Sequence, residues 1–134
     1  MHEQTPLYIA ARCGHAEVVS RLVAAGANVD AAKEDGWTPL HMAAWNGHVE
    51  VVPRLVAAGA NVDTADMEQR TPLHIAIRRD NVEVMARLVA AGADASPLKR
   101  LSWNPLRIAI IMNDAEEVTR LLSGGADVRY IITS

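Results

Sequence analysis

Apolar and polar positions return along this chain with a fixed period. Pro39-Leu40 at the head of one segment is matched by Pro6-Leu7, Pro72-Leu73 and Pro105-Leu106, a shift of 33 residues each time. Glu50, Arg54, Leu55, Gly59 and Ala60 likewise find identical residues in the other three copies. A period of that length marks stacked repeats, in which a unit buries its apolar face only against its neighbours. The sequence therefore reads as one domain over residues 1–134, built of four units at 5–37, 38–70, 71–103 and 104–134.

Local rules predict the elements of each unit. Thr38 is a good N-cap, because its hydroxyl can accept a hydrogen bond from a free first-turn amide. Pro39 then stands at the first helical position, where its missing N–H costs nothing. Gly47 supplies a left-handed stop after about two turns, and Gly59 ends a second helix in the same way. In the third and fourth copies the first stop is Asp80 and Asn113, residue types that tolerate that conformation. Asn28-Val29-Asp30 and then Asp35-Gly36 read as an extended segment and a hairpin turn. Pro53 falls inside the second helix of its copy, at an interior cost of about 3 kcal/mol that a site in the first turn reduces.

The unit resembles the ankyrin repeat, whose signature is the Thr-Pro-Leu-His run found at Thr38 to His41 and at Thr71 to His74. The resemblance covers residues 5–134 and implies an all-α repeat solenoid, a stack of four helix-turn-helix units joined by β-hairpin or extended loops. Some positions depart from the pattern. Tyr8 and Arg107 replace the signature histidine, Asn104 replaces the capping threonine, and Gln69 and Ser102 stand in the hairpin-glycine column. The segment Ser96 to Leu101 departs from the finger sequence, and Ile131 and Ile132 lie beyond the last predicted helix.

Composition narrows the picture further. Half of the residues are hydrophobic, yet there is no Phe, so the predicted core is made of small and branched side chains suited to thin layers. The net charge of −3 argues against a general nucleic-acid binder, which needs a clustered positive surface. Residues 1–66 hold eight acids and four bases, whereas 67–134 hold eight acids and nine bases, so the first half is acidic and the second mildly basic. A single cysteine, Cys13, allows no internal disulfide, and no apolar run approaches the ~18 residues of a membrane span. The expected location is the cytoplasm or the nucleus, with no membrane contact.

Catalytic and metal chemistry find little support. His41 and His74 are one repeat apart, as are His15 and His48. Layers roughly 10 Å apart cannot offer two ligands to one ion with bonds of about 2 Å. The resemblance makes the signature histidine a structural residue near the hairpin base. Glu17 and Arg21, Glu50 and Arg54, Glu83 and Arg87, and Glu116 and Arg120 are spaced as i, i+4 helix pairs, each worth roughly 0.2–0.5 kcal/mol. Carboxylates recurring in every unit are structural rather than catalytic. No enzyme activity, cofactor or metal is expected.

Function is expected where the copies disagree, since stacking positions repeat and partner-facing positions are free to differ. In ankyrin proteins the hairpin tips, the residue before the Thr-Pro pair and the end of the first helix line the groove that contacts partners. Carried over by column, the resemblance assigns Gln4, Trp37, Arg70 and Trp103 before the signature. The helix ends are Arg12-Cys13, Trp45-Asn46, Arg78-Arg79 and Ile111-Met112, and the tips are Glu34-Asp35, Met67-Glu68 and Arg100-Leu101. All three tryptophans fall in these columns, and Trp and Arg are enriched at interface hot spots. The competing structural role is that Trp37 and Trp45 pack on each other or on the adjacent finger.

The leading expectation is a non-catalytic module that binds a protein or peptide through this concave face, as a monomer. The alternative is an assembly domain that associates through Leu101, Ile111, Met112, Ile131 and Ile132. Nucleic-acid or anionic-lipid binding through Arg70, Arg78, Arg79, Lys99 and Arg100 is a third reading, which the acidic first half opposes.

Overall fold

Threonines start the first helix of each of the first three repeats. In a computed structural model describing residues 4–100 and 105–125, the hydroxyls of Thr5, Thr38 and Thr71 accept the amides of Tyr8, His41 and His74. A proline follows each cap, and the first helices are α1 (Pro6–Cys13), α3 (Pro39–Asn46) and α5 (Pro72–Arg78). The second helices are α2 (Ala16–Ala24), α4 (Val51–Ala57) and α6 (Val82–Ala90). The remaining helices are α7 (Ser96–Arg100), α8 (Pro105–Ile111) and α9 (Ala115–Ser123). The side chains of Lys99, Arg100 and Pro105 are not described, and Leu101, Trp103, Asn104, Ile131 and Ile132 lie outside the described residues.

The turn residues behave as their chemistry requires. Gly14 and Gly47 take φ of 78° and 71°, and Asp80 and Asn113 take 56° and 55° in the same column. Pro53 is accommodated by a late start. Helices α2 and α6 begin at Ala16 and Val82, whereas α4 begins at Val51, two residues after their counterpart Val49. Pro53 is thereby the third residue of α4, among first-turn positions whose N–H groups have no intrahelical acceptor.

The fingers are single turns, and no strand is assigned among the described residues. In the first finger the Lys33 amide donates to the Trp37 carbonyl (2.9 Å) and the Gly36 amide to the Lys33 carbonyl (2.8 Å). The next finger repeats this from Asp66 to Arg70, with Gln69 at φ 67° in the glycine's column. The Met67 amide donates to the Asp35 carbonyl (3.0 Å), joining the two fingers. After the closing pair the chain enters the N-cap, so the legs are too short for a strand ladder. The connections expected as β-hairpin or extended loops are closed turns in these two fingers, and Ser96–Arg100 is helical.

The chain divides into two compact units, Met1–Ala93 and Asp94–Ser134. In the first, α1, α3 and α5 pack side by side as one layer, and α2, α4 and α6 as another. Leu7, Leu40, Leu55, Leu73, Leu88 and Met85 fill the space between the layers, each at most 1% exposed. Helices this short are marginal alone, so packing of their apolar faces stabilises them. In the second unit α8 packs on α9. Leu98, Leu106 and Ala109 are buried there, whereas α9 has no buried residue.

The glutamate–arginine columns pair differently from the helical expectation. Glu17 and Arg21 do meet, at 3.6 Å. Arg54, however, reaches across to Glu17 (3.4 Å) and donates to the Ser20 hydroxyl (2.7 Å), and Arg87 reaches Glu50 (3.7 Å). Arg120 pairs with Glu117 rather than Glu116. The second helices of successive repeats lie side by side, so the preceding repeat's carboxylate is as near as the one a turn away. The result is an exposed staple between layers, worth at most about 1 kcal/mol per pair.

Candidate interaction surface

The signature histidine His41 builds the base of the second finger. His41 is fully buried, and its Nδ1 accepts the Thr38 amide (3.2 Å) while Nε2–H donates to the Arg70 carbonyl of the next finger (2.8 Å). Those bonds assign the neutral Nε2–H tautomer. Burial is the main influence on the ring and holds its pKa below the ordinary value, against the raising effects of the Arg70 carbonyl, Asp66 and Asp35. In the first repeat Tyr8 fills the same column. It is 3% exposed, its hydroxyl donates to Met42 Sδ (3.2 Å), and Lys33 Nζ lies 5.3 Å from its ring centre. Tyr8 is thus a core residue, because a phenol has apolar area that the histidine slot encloses. Arg107, in that column of the second unit, is also buried.

Asp66 is the residue that column reasoning missed. Only 4% exposed, it accepts from the amides of Glu68 and Arg70 (2.8 Å each), from Arg70 Nε (2.9 Å) and from Trp37 Nε1 (3.0 Å). Burial alone would raise its pKa, but the Arg70 and Glu68 amides and the side chains of Arg70 and Trp37 outweigh it and hold the carboxyl below its ordinary value. The available signal was an aspartate opening a turn, whose carboxylate accepts the amide two residues on. A second missed column joins layers. His48 Nε2–H donates to the Arg12 carbonyl and Asn81 Nδ2 to the Ala44 carbonyl, both at 2.8 Å.

These contacts sort the expected partner-facing residues. Trp37 is half-buried, stacked on His41 (centroids 5.7 Å apart) and edge-on to Trp45 (5.8 Å). With its N–H on Asp66, it fills the structural role in part. Arg70 is likewise committed to Asp66 and approaches Glu68 (3.4 Å). Trp45 remains open, 36% exposed. Arg79 lies over its ring at 4.5 Å and donates through Nε to the Trp45 carbonyl (3.1 Å). Arg78 is exposed, as are Glu34, Asp35, Asn46 and Glu68. Met67 is 72% exposed at a finger tip. Gln4 Oε1 accepts from Arg12 Nη1 (2.6 Å), and Asn46 Nδ2 donates to the Arg12 carbonyl (3.3 Å).

In the second unit the expectation fails at Ile111, which is 6% exposed and unavailable to a partner, because it turns inward at the end of α8. Met112 beside it is 39% exposed. Leu101 and Trp103 lie outside the described residues, as does the side chain of Arg100.

Comparison with known families decides the kinship. A family model described as ankyrin repeats (3 copies) matches residues 1–66 and again 58–131. The chain belongs to the ankyrin repeat family. The family model carries three copies, against the four units read from the period. No curated protein matches the chain. Ankyrin repeats form all-α repeat solenoids and generally act as non-catalytic modules of protein–protein interaction. The capped helices, buried signature histidine and joined fingers described above are this chain's form of the ankyrin unit.

Proposed function

We propose that this chain binds another protein or peptide through the finger tips and first-helix ends of its first unit. Trp45 is the anchor. It is 36% exposed, with the Arg79 guanidinium over its ring and Trp37 packed edge-on to it. Trp and Arg in a preorganised pair lose little side-chain entropy on binding, which is the usual character of a hot spot. Arg70 is neutralised within the fold by Asp66, so the positive charge offered to a partner comes from Arg78 and Arg79. The matching ligand carries an apolar or aromatic side chain for Trp45, a carboxylate beside it, and apolar contact for Met67.

Selection of peptides on the immobilised chain, followed by titration of the tightest binder, tests this reading. Trp45→Ala is expected to weaken binding at least ~30-fold, about 2 kcal/mol, with unchanged far-UV circular dichroism. Arg78→Ala with Arg79→Ala adds a further loss that shrinks at high salt. Binding within twofold of wild type both in Trp45→Ala and in the Arg78→Ala/Arg79→Ala double variant would remove this surface from consideration.

A further inference from the structure

The internal repeats supply their own control for what a covered face looks like. Val51 and Val84 are fully buried on their second helices, whereas Val18 in the same column is 45% exposed. Leu55 and Leu88 are fully buried, but Leu22 is only half-buried. Pro39 and Pro72 are buried, yet Pro6 is exposed, and Ile9 is 39% exposed where Ile75 is 0%. The difference is the layer in front. Val51 and Val84 are covered where a repeat precedes them, and among the described residues this face of the first repeat is left open. Arg21 follows suit, for Arg54 and Arg87 staple back to the preceding repeat while Arg21 turns to Glu17 of its own helix.

The second unit shows the opposite half of the same joint. Ala11 and Ala44 are fully buried, but Ile110 in their column is 45% exposed, and Leu122 is 40% exposed. Glu116 and Thr119 stand in the columns of Glu17 and Ser20, the pair that receives Arg54 in the first unit. Glu116 is exposed, and its neighbour Glu117 takes Arg120. Between α8 and α9 an open groove lined by Ala109, Ile110, Val118 and Thr119 runs along this face.

We propose that the Pro6–Ile9–Val18–Arg21 face of one copy docks on the Ile110–Leu122–Glu116 face of a second copy, head to tail. Arg21 then meets Glu116 and Thr119 as Arg54 meets Glu17 and Ser20, and Val18 is covered as Val51 is. Charge and apolar character both match across the joint, and the occupant is the one the inner repeats already accept. The contact is heterologous, so it leaves a free face on each copy and growth continues into rings or open chains. It uses neither Trp45 nor Arg79, so it stands or falls separately from the peptide-binding surface.

Light scattering on the whole chain against concentration gives the first reading, with a mass that rises beyond the monomer. Val18→Glu and Leu122→Glu each change an exposed side chain, so both variants are expected to fold and to be monomeric alone. Mixed in equal amounts, they are expected to form a dimer and nothing larger, because one retains only the tail face and the other only the head. Arg21→Glu is expected to weaken association at least tenfold, and Glu116→Arg in the same chain to restore it. A wild-type chain that stays monomeric up to about 1 mM, or a mixture that does not dimerise, overturns the proposal.

Discussion

Asp66 ties Trp37, the turn after it and Arg70 into one network, so a single carboxylate shapes the finger and holds the indole that packs edge-on to Trp45, the residue proposed above as the anchor. Removing it strands an indole N–H and two amides. Asp66→Ala is expected to cost about 2 kcal/mol, seen as a lower urea midpoint at unchanged slope, and to weaken peptide binding by loosening Trp37. An unchanged midpoint would show that water replaces the carboxylate freely. The same network makes stability depend on pH. The carboxyl of Asp66 titrates below its ordinary value when folded, so its contribution is full above about pH 4 and is lost as pH falls through the folded value. His41, depressed by burial, contributes fully above about pH 6.5 and loses that contribution as pH falls from there. The urea midpoint should therefore drop between pH 7 and 5, and His41→Gln should flatten that segment while lowering the midpoint throughout. Equal slopes in wild type and variant would assign the drop to other groups.

At the scale of elements, the fingers and second helices show how non-consensus residues are absorbed. Gly36 takes φ 85°, and a Cβ there would lie 2.9 Å from Asp66 Cα and 3.0 Å from the Met67 amide nitrogen. Both the conformation and the approach of the next finger demand glycine. Gly36→Ala is expected to destabilise by about 2 kcal/mol. Gln69 bears the corresponding strain at φ 67°, and Gln69→Gly is expected to stabilise by about 0.5 kcal/mol, the relief of strain being partly offset by the freer unfolded chain. Thermal denaturation of the two variants checks both signs, and a stabilised Gly36→Ala would mean the fingers separate. Pro53 belongs to the same class. It is tolerated because α4 starts late enough to put the ring in the first turn.

At the scale of the whole molecule, the two units differ in how much they bury. Val84, Met85 and Leu88 anchor α6 in the first unit, whereas α9 has no buried residue. Local opening free energy follows buried apolar contact, so amides of α9 are expected to exchange with solvent faster than those of α6, and to be the first lost with urea. Equal protection in hydrogen-exchange mass spectrometry would contradict this. If copies dock head to tail, protection of α9 should rise with protein concentration while that of α3 stays constant.

Much of this was legible in the sequence because it is local and periodic. Thr, Pro, Gly and Asp choices at helix ends act within a few residues, so the caps at Thr38 and Thr71 and the left-handed stops at Asp80 and Asn113 follow from residue type alone. The period of 33 residues carried the repeat and the family with it. What spans layers did not follow from it. The partners of Arg54 and Arg87, the carbonyls that hold His48 and Asn81, and the hub at Asp66 join residues 29 to 37 positions apart. Those pairings depend on which helix lies beside which. Trp37, Trp45 and Ile111 make the same point: all three stand in the variable columns, and only tertiary packing decided that Trp37 is half-buried, Trp45 open and Ile111 inside, because exposure is a property of neighbours rather than of residue type.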